Sequence, residues 1–242
     1  MGAGVGLWCA MRSPLFTLRV VEIADLPEDS PLDSQAITDL AAVSLGRWNL
    51  FSIDLSPIEA RLRTNPWIRE VRLQKRFPQT LAINVVFRQP RALHQDAHGK
   101  LSYIDEDGHV FGQVSLSRQP DLPLVSGVPA SAGDRIQEAL RLIDSWEKAD
   151  VGRISQLASL EFDGGRGFRA WVTYPLLQPK GGGLSGNGRV VVELGQEIDL
   201  EQDGRLGRLQ SVFRYLSSNG ISARQIWADA GKKIVVKIAR GS

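Results

Sequence analysis

Residues 50–93, LFSIDLSPIEARLRTNPWIREVRLQKRFPQTLAINVVFRQPRAL, carry two periodicities in succession. Leu55, Ile58 and Leu62 recur at helical spacing. Ser56-Pro57 suits the start of that helix, because proline gives up only an N–H that the first turn leaves free. Asn65-Pro66 stops it, since the residue before proline is pushed out of the α region. After Trp67 the period changes to two. Val71, Leu73 and Phe77 fall on one face, and Glu70, Arg72, Gln74 and Arg76 on the other. Pro78-Gln79-Thr80 turns the chain. Leu81, Ile83, Val85 and Phe87 then share a face opposite Asn84 and Arg88, until Gln89-Pro90 ends the strand. Two adjacent strands, each apolar on one side, need a helix laid on that side to keep it dry.

Toward the N-terminus, residues 15–23 (LFTLRVVEI) read as a first strand, followed by a polar, proline-flanked loop at 25–31. Ile37, Leu40, Ala41 and Leu45 predict a short amphipathic helix with Asp33 or Ser34 as its N-cap. Gly46 is expected to end it. The order is therefore strand, helix, helix, strand, strand.

Four pieces of this region carry a resemblance. They are Gly46-Arg47-Trp48-Asn49-Leu50-Phe51, Asn65-Pro66-Trp67-Ile68, Arg76-Phe77-Pro78-Gln79-Thr80-Leu81 and Arg88-Gln89-Pro90-Arg91-Ala92. In this order and spacing they resemble the POTRA domain of the FtsQ/DivIB bacterial cell-division proteins, and the likeness continues to the C-terminus. The resemblance implies an α+β protein. A βααββ POTRA domain, a three-stranded sheet with two helices, would occupy residues 14–90. A larger mixed α/β domain with an extended sheet, the FtsQ-type β domain, would occupy residues 91–242. Residues 1–13 would be the outer end of a membrane span or an apolar tail.

The second half supports a mixed sheet. Short strands are expected at 92–95, 101–104 and 109–111, with Asp107-Gly108 as a tight turn between the last two. Residues 121–127 (DLPLVSG) read as an extended segment, and 134–148 as a helix burying Ile136, Leu140 and Ile143. Residues 157–162 and 168–174 pair around Gly164-Gly165-Arg166-Gly167. Residues 178–188 (QPKGGGLSGNG) read as a mobile loop. Val190, Val192 and Leu194 alternate after it. Leu206, Leu209, Phe213 and Leu216 mark a helix that Asn219-Gly220 ends, and two strands at 224–229 and 232–238 close the chain.

Composition narrows the function. Apolar residues make up 43% and charged residues 23% of 242, ordinary for a folded domain. A net charge of +2 is too small for a nucleic-acid footprint. The lone cysteine, Cys9, permits neither an internal disulfide nor a cysteine zinc site. Residues 2–11 are uncharged and mostly apolar. Ten helical residues reach ~15 Å, about half a bilayer core. They lack the basic start of a signal peptide.

Candidate chemistry is thin. His94 and His98 have a zinc spacing but no third ligand nearby in sequence, and with His109 they read as surface or hairpin histidines. Asp105-Glu106-Asp107-Gly108 lacks the remainder of a calcium loop and reads as a β-turn. The glycines of 181–188 lack the Gly-Lys-Ser/Thr ending of a phosphate cradle, and a strand follows them. No Gly-x-Ser-x-Gly or His-Glu-x-x-His occurs. Arg72, Lys75 and Arg76 read as a solvated basic face, or as a docking face for headgroups or an acidic partner.

The expected function is therefore binding, with no catalytic residue, metal or cofactor. The resemblance implies a scaffold on the periplasmic side of the inner membrane at the division septum. It would be anchored by a single span before Ser13 and would engage other division proteins through its POTRA domain. FtsB-like and FtsL-like membrane-anchored partners would be held by the last strands, whose fold-side face would be Ile234, Val236 and Ile238. Candidate contact residues are Arg224, Trp227, Asp229, Lys232, Lys233, Val235 and Lys237. Where the family usually reads I-D-L-R, this chain has Ile226-Trp227-Ala228-Asp229. Trp227 is either buried core or an exposed anchor of the kind enriched at hot spots. The alternatives are a POTRA-bearing outer-membrane assembly or secretion component, and a cryptic hydrolase.

Overall fold

The structure, a computed structural model, describes residues 13–115, 120–178, 184–196, 204–229 and 233–239. The chain divides into two compact units, the first ending at Gln89 and the second beginning at Pro90.

The first unit is a three-stranded sheet with two helices. Strand β1 (Val20–Ala24) lies parallel to β3 (Thr80–Phe87), which pairs antiparallel with β2 (Ile68–Arg76). Leu81, Ile83, Val85 and Phe87 all turn inward from the central strand and are buried. Helix α1 (Ser34–Ala41) and helix α2 (Ser56–Leu62) cover them with Ile37, Ala41, Ile58 and Leu62. Asp33 caps α1 by accepting from the Ala36 N–H at 2.7 Å. At the other end Arg61 of α2 donates to the Ala41 carbonyl, satisfying a group that the helix leaves free. Asp54 accepts from the Ser56 N–H at 3.0 Å, and that bond holds its carboxyl below the ordinary carboxylate range.

Three local expectations change here. The strand predicted over 15–23 is shorter. Residues Pro14–Phe16 form a 3-10 turn capped by Ser13, because Pro14 has no N–H for a ladder. Helix α1 ends at Ala42, which takes the left-handed conformation (φ 50°), and Gly46 (φ 78°) serves the turn that follows. Phe77 does not face inward with Val71. Strand β2 stops at Arg76, so Phe77 rides on the turn and is 50% exposed.

The second unit is built on a nine-stranded sheet. Its strands in chain order are β4 (Pro90–Gln95), β5 (Leu101–Asp105), β6 (Val110–Phe111), β7 (Leu124–Ser126), β8 (Gln156–Asp163), β9 (Gly167–Leu177), β10 (Leu184–Gly195), β11 (Ala223–Trp227) and β12 (Val235–Ile238). Across the sheet they run β12-β11-β10-β9-β8-β7-β4-β5-β6. Helices α3 (Gly133–Lys148) and α4 (Arg205–Ser218) pack on β8 and β9 respectively. Val125, Leu160, Ala170, Val192 and Ile226 stand opposite one another on five adjacent strands, each fully buried. One residue further along each strand, Ser126, Glu161, Arg169, Glu193 and Trp227 form a row on the opposite face. The period of two thus separates core from open surface across the sheet.

The Gly-rich stretch is also shorter as a loop than expected. Strand β10 begins at Leu184 opposite Leu177, and Asn187 and Gly188 are already in register with Pro175 and Tyr174. Residues 179–183 lie outside the described residues. Among the described residues no helix is long and apolar enough to cross a membrane, and the expected anchor at 1–12 lies outside them.

Candidate partner-binding edge

The two closing strands form one margin of the large sheet, and their placement starts from the end of α4. Gly220 (φ 62°) lets the chain reverse, while Gly220 and Ile221 donate to Ser217 and Leu216 at 3.1 and 2.9 Å. Tyr174 of β9 then fixes the entry to β11. Its hydroxyl donates to the Ile221 carbonyl at 2.9 Å and accepts from the Ala223 N–H at 2.9 Å. Burial pushes this phenol above its ordinary value of 10.0, and the Ala223 N–H works against that shift. Gly188 leaves the necessary room: a Cβ there would stand 2.6 Å from the Tyr174 ring. No sequence motif marks Tyr174 as a tie to β11, because its partners are main-chain groups 47 and 49 residues away.

Strand β11 runs parallel to β10, with Val192 opposite Ile226 and Glu193 opposite Trp227, and the Ala228 N–H extends the ladder to the Glu193 carbonyl at 2.9 Å. Strand β12 returns antiparallel, pairing Val235 with Trp227, Val236 with Ile226, Lys237 with Gln225 and Ile238 with Ala223. A register shift between Ala223 and Gln225 leaves Arg224 without a counterpart, and its side chain is exposed. Among the described residues, no strand neighbours the far side of β12 in the sheet order.

The predicted residues separate clearly. Val235, 51% exposed, and Lys237 lie on the open face beside Trp227 and Gln225. Asp229, after β11, and Lys233, before β12, are exposed, whereas Lys232 lies outside the described residues. Trp227 is neither core nor free anchor. It is half-buried on the face away from the helices. Of the three residues expected on the fold side, Ile234 and Val236 pack on the core. Ile238 does not: it ends an edge strand with one flank uncovered and is 55% exposed.

Behind the edge lies a polar group that sequence reasoning missed. Glu193, 8% exposed, accepts from Gln225 at 2.9 Å and sits 3.3 Å from the Arg169 Nε. Arg169 extends toward Glu161 at 3.7 Å. Alternation places Glu193 opposite Val192 and Leu194, but only the strand order brings Arg169 and Gln225 to either side of it. Burying the carboxylate is tolerable because charged and amide donors meet it. This network lies beside Trp227, which stands opposite Glu193 across the ladder.

The histidine and carboxylate candidates find other places. His94 is no surface histidine: it is buried, with Nε2 donating to the Val128 carbonyl at 2.7 Å. His98 is exposed in the next turn. Asp105, Asp107 and His109 are the one trio of metal-ligating groups found among the described residues. Asp105 is 1% exposed, and its Oδ1 accepts from the Asp107 and His109 N–H groups at 3.0 and 2.8 Å, so it organises the β-turn. A groove of about 550 Å³ on the open sheet face is lined by Leu124, Ser159, Glu161, Trp171 and Arg189, without histidine or cysteine.

Comparison with known proteins agrees with this architecture. Residues 29–87 match the family model of the FtsQ-type POTRA domain, and residues 92–227 match that of the FtsQ/DivIB cell division protein C-terminal domain. The chain is 29% identical to the cell division protein FtsQ of Geobacter sp., over 98% of this chain and 82% of that protein. It is 27% identical to that of Myxococcus fulvus, over 94% and 74%. The FtsQ of Zymomonas mobilis is 38% identical over 54% of this chain and 44% of its own length.

Proposed function

Because the chain belongs to the FtsQ/DivIB family of cell division proteins, we propose that it acts as a non-enzymatic scaffold of the division machinery. Residues 14–90 serve as the POTRA domain and engage other division proteins. Residues 91–242 hold FtsB-like and FtsL-like membrane-anchored partners. A single span before Ser13 anchors the protein in the inner membrane, with its mass on the periplasmic side at the septum. The uncharged apolar run at 2–11 supports that anchor.

One observation carries the reading. Among the described residues, strand β12 ends the sheet with no strand on its outer side, and Val235, Lys237 and Ile238 of its four residues are exposed. A partner strand added there gains main-chain hydrogen bonds, while alternate side chains select it. Val235 and Lys237 read one face of the incoming strand. Arg224, Lys233 and Lys237 favour an acidic one. Lysines on an edge also discourage unwanted pairing, which suits a margin reserved for a chosen partner.

Co-purification with the FtsB-like and FtsL-like proteins of the same cell tests the proposal. Val235→Asp or Lys237→Glu weakens capture if a strand adds at this margin. Undiminished capture by both variants removes β12 as the docking edge.

A further inference from the structure

Three phenylalanine rings from separate segments meet where the described chain begins. Phe16 comes from the turn Pro14–Phe16, Phe51 from the bend before α2, and Phe77 from the turn between β2 and β3. Ring centroids lie 4.6 Å apart for Phe16 and Phe51, 4.4 Å for Phe51 and Phe77, and 6.0 Å for Phe16 and Phe77. None belongs to the buried core of the first unit. Phe77 is 50% exposed, Phe51 36%, and neighbouring Leu15 58%. The platform is held by polar bonds: the Leu50 N–H donates to the Phe16 carbonyl at 2.8 Å, and Lys75 donates to the carbonyls of Phe51 and Ile53 at 3.2 and 2.8 Å. Contiguous exposed apolar side chains on a rigid support mark a surface that meets something apolar.

We propose that this platform rests in the headgroup layer of the membrane that receives residues 2–11, an inference that depends on the anchoring reading above. Chain length supplies the argument. From Met11 to Phe16 there are five residue steps, and a fully extended chain covers at most about 18 Å in them. The headgroup region adds roughly 5–7 Å on each side of the hydrocarbon core. With the apolar run inserted, Leu15 and Phe16 cannot stand far from lipid, and their contacts bring Phe51 and Phe77 with them. Phenylalanine and leucine are among the side chains that interfacial elements bury at the boundary between headgroups and acyl chains. The platform thereby sets which side of the first unit faces the membrane.

The test uses the full chain with Cys9→Ser, carrying one fluorophore on a new cysteine. In one protein it is at Ser52→Cys, beside Phe51; in the other at Glu70→Cys, six residues from Arg76 and about 20 Å away by strand rise. Both sites are exposed. The vesicles contain phosphatidylethanolamine and phosphatidylglycerol with a nitroxide at headgroup depth, and no other protein. Emission is lost at Ser52→Cys and kept at Glu70→Cys. Adding Phe51→Ser with Phe77→Ser restores emission at Ser52→Cys, whereas Phe51→Leu with Phe77→Leu leaves it quenched. The leucine pair loses the same ring contacts, so a folding defect would show there too. Full emission at Ser52→Cys on vesicles that still carry the chain overturns the platform and spares the anchor, pointing to a protein partner for the rings. A chain that does not float with vesicles overturns the insertion of residues 2–11, and the platform with it. Quenching that survives the serine pair also overturns the proposal.

Discussion

At the scale of single residues, Tyr174 shows how much the closing edge depends on one hydroxyl. Tyr174→Phe keeps the ring but strands the Ala223 N–H, in a residue that is 1% exposed, and the Ile221 carbonyl. An unsatisfied buried polar group costs about 1–3 kcal/mol, so the variant should lose that much stability in urea. The pH dependence has a definite sign. The folded-state value is raised by burial above 10.0, so the folded protein keeps the phenolic proton more firmly than the unfolded chain. Tyr174's contribution is fully present below pH 10 and is lost as pH rises through the folded value. The stability gap between the natural protein and Tyr174→Phe should therefore narrow on alkaline titration. A gap constant from neutral to strongly alkaline pH would contradict the assignment. Neither hydrogen bond could be read from sequence, because both partners are backbone groups.

At the scale of elements, most of what the sequence announces is found, and the exceptions have physical causes. The alternation Leu81, Ile83, Val85, Phe87 appears as the buried face of β3 because both flanking strands and two helices enclose it. The same alternation mispredicts Ile238, because an edge strand has cover on one flank only. Leu184 and Gly186 were hidden among loop-forming glycines, yet they extend β10, since β9 continues far enough to pair with them. The candidate edge was legible as two strands, but its being a margin was not, because strand order is a long-range property. The two faces of the edge should respond differently. Ile226→Ala removes a fully buried side chain and should cost about 2–5 kcal/mol. Val235→Asp, on the open face of the edge, should stay within about 0.5 kcal/mol. Thermal unfolding of both variants checks the contrast. Equal destabilisation would mean that Val235 is packed in solution and unavailable to a partner.

At the scale of the whole molecule, the described residues form two buried cores, one drawn from each unit. The chain divides between Gln89 and Pro90, and that dipeptide was legible as the end of β3's run. The crossover order of the large sheet was not, since parallel β10 and β11 are joined through α4 and only the folded chain reveals that they are neighbours. Separate cores make a prediction about stability. Ile83 is fully buried in the centre of the small sheet. Ile83→Ala should lower the stability of the first unit by about 2–5 kcal/mol. Amides that exchange by opening of that unit then exchange faster, β3 foremost, while those of β9 and β10 keep their protection, because cooperative opening follows contiguous packed units. Hydrogen exchange read by mass spectrometry separates the cases. Accelerated exchange in β9 and β10 alongside β3 would show that the two cores unfold as one, and a partner bound at β12 would then stabilise the first unit as well as the second.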